Sequence, residues 1–184
     1  MRTSVTKYLV GLGLAISVVA LTSARAEAAG ESFRLGLSAT KLDTSYDGPG
    51  FGTSENSTTI LGLKAGTYFG SLYVGGVYDS RTDDSSGSKV ERSGYGATIG
   101  YHQGGWFIDG SYYLSSTIKA GSTEFKEGSG FGVDVGRNFD VMSNIFLGLQ
   151  VSYRSFSYKK VNSIDQENKL KSELTPMLNI GLAF

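Results

Sequence analysis

The chain of 184 residues carries 17 basic and 17 acidic side chains, one histidine and no cysteine. That length allows a single domain, and a net charge of zero offers a nucleic acid nothing general to hold. Without cysteines there is no disulfide framework and no Cys₄ metal site, and one histidine is too few for an ordinary zinc centre.

The first segment reads as a leader rather than as part of the fold. Arg2 and Lys7 form a basic head, Tyr8 to Leu21 is an almost uninterrupted apolar run, and Ala24-Arg25-Ala26-Glu27-Ala28-Ala29 follows. Basic head, apolar stretch and Ala-x-Ala site together predict a signal peptide over residues 1–28, cleaved after Ala26 or Ala28. The apolar run is shorter than the roughly 20 residues a spanning helix needs. Residues 29–184 are then the mature domain. Removing the leader takes away three basic residues and leaves the remainder mildly acidic.

From Ser32 onward the dominant period is two, which predicts strands. Ser32 to Leu42 sets Phe33, Leu35, Leu37 and Ala39 against Arg34, Gly36, Ser38 and Thr40. Thr59 to Phe69 sets Leu61, Leu63, Ala65 and Phe69 against Gly62, Lys64 and Gly66. Leu72 to Arg81 opposes Leu72, Val74 and Tyr78 to Tyr73, Gly75, Asp79 and Arg81, and Arg92 to His102 opposes Tyr95, Ala97, Ile99 and Tyr101 to Gly94, Gly96, Thr98, Gly100 and His102. Trp106 to Ser116 alternates Trp106, Ile108, Tyr112 and Leu114 with Asp109, Ser111, Tyr113 and Ser115. Ser129 to Phe139 alternates Phe131, Val133, Val135 and Phe139 with Gly132, Asp134, Gly136 and Asn138. Ile145 to Tyr158 alternates Ile145, Leu147, Leu149, Val151 and Tyr153 with Gly148, Gln150, Ser152 and Arg154. The last, Ser172 to Phe184, alternates Leu174, Leu178, Ile180, Leu182 and Phe184 with Glu173, Thr175, Asn179 and Gly181. The apolar face is broken by Lys41 and Arg137, both near strand ends where a long side chain reaches water.

Eight such strands predict an antiparallel up-and-down barrel. Gly70-Ser71 and Gly104-Gly105 are tight, glycine-favoured turns, and Asp140 to Asn144 is little longer. The other connections, Asp43 to Thr58, Thr82 to Glu91, Lys119 to Gly128 and Lys159 to Lys171, are long and polar and are expected to be mobile loops. A soluble barrel would also alternate. Here the polar face is filled with glycine, which does little for solubility but leaves space inside a narrow tube. The aromatics of the apolar face also fall into two groups. Phe33, Phe69, Tyr101, Trp106, Phe139 and Phe184 lie at the short-turn end; Tyr78, Tyr95, Tyr112, Phe131 and Tyr153 lie toward the loops. Two belts suit a bilayer with two interfaces. The expectation is a transmembrane β-barrel with its apolar face outward.

The final Leu178-Asn179-Ile180-Gly181-Leu182-Ala183-Phe184 alternates and stops on phenylalanine. This resembles the C-terminal strand of bacterial outer-membrane proteins, and the chain as a whole resembles the small OmpX/OmpA-transmembrane-domain type over residues 31–184. The resemblance implies a bacterial outer-membrane location with both termini periplasmic. It also implies that Phe184 is an assembly signal read by the barrel-assembly machinery. It is architectural, and no functional motif is matched residue by residue.

The lumen-facing set supplies a candidate polar network of Arg34, Lys64, Arg81, Asp109, Asp134, Gln150, Arg154, Glu173 and Asn179. Counting from the short turns places Lys64, Asp109, Asp134, Gln150 and Asn179 near one height, where opposite charges should pair. A plug of this kind is the leading reading; a narrow, porin-like ion channel is the alternative, since rings of charge are a usual selectivity device. A third reading is an outer-leaflet lipid-modifying enzyme. Lipid A deacylases resemble this size class and use a His/Ser pair, but His102 sits on the lumen face beside Gly104-Gly105, with no serine beside it on the lipid face. Asp83-Asp84 reads as loop charge or a weak cation site. No catalytic, metal or cofactor residue is therefore assigned. The expected partners are outer-membrane lipid, lipopolysaccharide and the barrel-assembly machinery, with no nucleic acid, for a monomeric chain. The aromatic Tyr46 and Phe51 flank Gly48-Pro49-Gly50 in the first long connection, and Lys159, Lys160, Lys169 and Lys171 make the fourth one basic.

Overall fold

A computed structural model describes residues 32–48, 51–85, 88–162, 164–169 and 173–184. The expected leader lies outside the described residues, as do Pro49, Gly50 and Lys171. The strands are β1 (Ser32–Gly48), β2 (Phe51–Phe69), β3 (Leu72–Ser85), β4 (Ser88–Gln103), β5 (Trp106–Ala120), β6 (Thr123–Met142), β7 (Ile145–Val161), β8 (Ile164–Lys169) and β9 (Glu173–Ala183). Each of β1 to β7 pairs antiparallel with the next, β7 pairs with β9, and β9 pairs with β1. The ring is thus an eight-strand barrel closed by β9. The extra short strand, β8, pairs with the far end of β7 on the edge that β9 uses lower down.

Alternation directs the two faces as expected. Trp106 is 58% exposed and Leu114 65%, whereas Tyr73, Val77, Phe107, Tyr113, Phe146, Phe156 and Tyr158 are buried inside. An apolar surface of this extent on the outside of a closed barrel is stable in lipid, where closure leaves no open sheet edge. Among the described residues no helix is long and apolar enough to cross a membrane.

The long connections are not the mobile loops expected of them. β1 and β2 stay paired up to Gly48↔Phe51, β3 and β4 to Ser85↔Ser88, β5 and β6 to Ala120↔Thr123, and β7 and β8 to Val161↔Ile164. Polar, Ser- and Thr-rich sequence lacks the apolar alternation that marks a lipid-facing strand, yet the backbone ladder continues through it. β2 has 19 residues and β6 has 20, against the roughly 9–11 that a tilted strand needs to cross a bilayer. The difference between the two ends is therefore one of strand overshoot, and the Asp83-Asp84 pair belongs to β3 rather than to a loop.

Two irregularities shape the wall. Pairing between β5 and β6 shifts register between Tyr113 and Ser116. A bulge of this kind reverses which residues face inward. Below it Phe107, Asp109, Ser111 and Tyr113 are buried; above it Ser116 and Ile118 are, so Ser116 takes the lumen position that strict alternation gives Ser115.

The second lies at the β1–β9 seam. Phe33 and Phe184 exchange both backbone hydrogen bonds, at 3.0 and 2.8 Å, while the Ala183 N–H donates to the Asn144 carbonyl. Even-numbered residues of β9 therefore turn their backbone toward β1. The paired register runs from Arg34↔Ala183 to Ala39↔Leu178 and would next bring Lys41 opposite Pro176. Proline has no N–H to donate, and the ladder stops there.

Candidate functional site

Lumen side chains form three layers. At the short-turn end Arg34 stacks over the Phe146 ring at 3.6 Å and donates to the Tyr68 hydroxyl at 2.8 Å. Tyr68 meets His102 Nδ1 at 2.9 Å, and His102 Nε2 meets Asp109 Oδ1 at 2.7 Å. If Nε2–H serves the carboxylate, Nδ1 is left to accept from Tyr68. Tyr73 and Phe107 flank the imidazole at centroid distances of 5.1 and 5.3 Å.

The middle layer is ionic. Lys64 Nζ bridges Asp109 Oδ2 at 2.5 Å and Asp134 Oδ2 at 2.7 Å. Asp134 also accepts from both terminal nitrogens of Arg154, at 2.7 and 3.1 Å, and Arg154 Nε donates to Asp79 at 2.7 Å. Tyr113 donates to the same Asp79 oxygen. One continuous chain of contacts thus runs Arg34–Tyr68–His102–Asp109–Lys64–Asp134–Arg154–Asp79–Tyr113. Glycine makes the room: a Cβ at Gly132 would stand 2.9 Å from the Arg154 side chain, and one at Gly62 would stand 3.0 Å from Asp79.

The upper layer is apolar and aromatic. Val77, Tyr113, Ile118, Phe156 and Tyr158 form one buried cluster, with Val90 and Phe125 packed against it. Tyr158 and Ser116 share a hydrogen bond of 2.8 Å, and Arg92 lies over the Phe156 ring at 4.5 Å. The polar plug read from the sequence is therefore capped by an aromatic one.

Of the expected network, Arg34, Lys64, Asp109, Asp134 and Arg154 belong to the chain just traced. Arg81 makes a contact of its own. It grips Asp83 through Nε at 2.7 Å and Nη2 at 2.9 Å, and Asp83 also accepts from Thr58 at 2.6 Å. Burial alone would push the Asp83 carboxyl up, but the hydrogen bonds from Arg81 and Thr58 outweigh it and hold it below its ordinary value. Gln150 donates to Ser152 and to the Met177 sulfur instead of to a charge. Asn179 is buried and faces the lower cavity; the Glu173 side chain lies outside the described residues. Missed by sequence reasoning were Asp79, Tyr68, His102 and Tyr113 as members. All four lie on the polar face by alternation, but partners from four different strands are not visible in any one of them.

Of the interface aromatics, Phe69, Tyr78, Tyr95, Tyr101, Trp106, Tyr112, Phe131, Phe139 and Phe184 are exposed on the outer face. Phe33 and Tyr153 are half-buried, Tyr153 against Phe131 at 5.8 Å. Arg137, on this face, lies over Trp106 at 5.3 Å and Phe139 at 5.1 Å. Beyond the membrane part, Lys160 is paired with Glu127 and Lys169 with Glu167, so the fourth connection is less basic in effect than its lysines suggested.

Tyr68, His102 and Asp109 have the serial order of a proton relay. The lower cavity, bordered by Tyr73, His102, Asp109, Asn138 and Asn179, measures about 30 Å³, room for about two waters. A second cavity of about 20 Å³ lies above the ionic layer.

No family model matches the sequence, and no curated protein matches it. Solved structures are similar in fold alone. Neisserial surface protein A is 16% identical, with 83% of this chain and 95% of that one covered and a TM-score of 0.45. The outer membrane protein OprG from Pseudomonas aeruginosa is 14% identical, with 84% and 95% covered and a TM-score of 0.46. The Vibrio cholerae outer membrane protein OmpT is 11% identical, with 82% and 51% covered and a TM-score of 0.36. By its own closed ring and outward apolar face, the chain is a closed eight-strand β-barrel with a lipid-facing exterior.

Proposed function

We propose that this protein is a structural and interaction-type barrel of the bacterial outer membrane, with a closed lumen and no catalytic activity. The observation that carries the reading is the filled interior: among the described residues, a continuous ionic layer lies between two aromatic layers, with small cavities of about 30 and 20 Å³ beside it. An ion crossing it would have to part Lys64 from two aspartates and then pass the Tyr113–Phe156 stack. In this reading the short turns and both termini face the periplasm, and the overshooting hairpins face outward. Those hairpins carry mixed charge, including the Lys89–Glu91 and Lys126–Glu124 pairs, which suits contact with lipopolysaccharide or another surface better than strong anion capture.

Planar-bilayer conductance of the purified protein tests the closed lumen. The expected trace is flat. Steady channels that vanish on changing Lys64 or Asp134 would establish the narrow-channel alternative instead. A lipid A mass spectrum from cells with and without the protein tests the non-enzymatic reading; a mass change that depends on His102 would overturn it.

A further inference from the structure

The upper lumen contains a charge arrangement that the plug does not explain. Arg81 and Arg92 are direct cross-strand partners on β3 and β4, and both border the same cavity with Arg154, Asp79, Ser152 and Thr175. Like charges directly opposite one another on one face of a sheet repel. Among the described residues, three guanidinium groups and one carboxylate share this wall, and that carboxylate, Asp79, is already engaged by Tyr113 and Arg154.

Arg81 is held by Asp83, and Arg154 by Asp79 and Asp134. Arg92 is different. Among the described residues its contact is the Phe156 ring, with no carboxylate in ion-pair distance. A guanidinium offers five N–H donors, and a cation drawn out of bulk water requires an acceptor or a counter-charge. An aromatic face satisfies the charge in part but accepts none of the in-plane donors in the way an anion does.

We propose that the cavity of about 20 Å³ bordered by Arg81, Arg92 and Arg154 binds one small monovalent anion of chloride size. Arg92 supplies the uncompensated charge. The volume selects the ligand, since it admits about one water-sized particle and leaves no room for a phosphate or a carboxylate-bearing molecule. The Thr175 hydroxyl on the wall is a further donor. Bound there, the anion screens Arg81 from Arg92 and completes the electrostatics of the outer lumen.

The test is crystallographic, with bromide as the probe. Crystals of the protein purified from membranes and grown in sodium bromide should give one anomalous peak inside the cavity, at hydrogen-bond distance from Arg92. The peak should persist in Arg92→Lys and be lost in Arg92→Gln. A wild-type cavity holding water or nothing overturns the proposal. So does a peak that survives in Arg92→Gln, which would mark an adventitious ion only. Solution unfolding gives a second readout. Chloride should raise the wild-type melting midpoint by about 2–4 °C over gluconate at equal ionic strength. An equal rise in Arg92→Gln would show a general salt effect and refute a specific site.

Discussion

Asp134→Asn is the most informative single change. The Asp134 side chain is 0% exposed and joins Lys64 to Arg154 at the centre of the lumen. The amide keeps the shape but turns an N–H₂ toward cations and removes the charge they share. Breaking a buried pair by removing one partner costs about 3–5 kcal/mol. Lys64 keeps Asp109 at 2.5 Å and Arg154 keeps Asp79 at 2.7 Å, which places the loss at the low end, about 3 kcal/mol. With a urea slope of about 2 kcal/mol/M, the unfolding midpoint of the barrel in micelles should fall by about 1.5 M. Adding Lys64→Met should cost less in the Asp134→Asn background than alone, because one of the two ion pairs that Lys64 makes is already gone. A midpoint within about 0.25 M of wild type, or additive losses in the cycle, would refute the claim that the ionic layer acts as one unit.

Pro176→Val supplies the N–H that the β1–β9 ladder lacks, so the Lys41 carbonyl gains a donor and stability should rise by about 1 kcal/mol. The new amide at position 176 should exchange slowly, and fast exchange there would contradict the account of the seam. Gly128→Ala places a Cβ 2.6 Å from the Ser116 carbonyl and against the Tyr158 ring; a loss of about 1–3 kcal/mol is expected on urea titration. Asp83 titrates below its ordinary 3.8, so its contribution is full above that value and is lost as pH falls through the lowered one. Asp83→Asn should flatten the acid limb of the stability profile there, and an unaltered limb would mean that the Arg81–Asp83–Thr58 contact contributes nothing.

The sequence by itself determined the strands, their lipid-facing side and the tight turns at one end. Period-two alternation is local, and a side chain such as Leu149 or Trp106 faces the same way whatever its neighbours do. Glycine at Gly70, Gly104 and Gly105 marked turns that use positive φ, and these residues have φ of 65°, 57° and 82°. The upper hairpins escaped notice because a strand outside the membrane needs no apolar alternation. The Ser115-to-Ser116 exchange was hidden for a different reason: a bulge is set by pairing with a second strand.

How the lumen side chains pair was decided only by tertiary structure. Asp79 and Arg154 are 75 residues apart, and Lys64 meets Asp109 across 45. Such contacts depend on register around the whole ring, which no single strand encodes. Closure of the ring also sets the interior width, and that width brings the same charges within hydrogen-bond distance of one another. The end of the β1–β9 ladder joins both kinds of information: proline is in the sequence, but only the register shows that its missing N–H falls opposite Lys41.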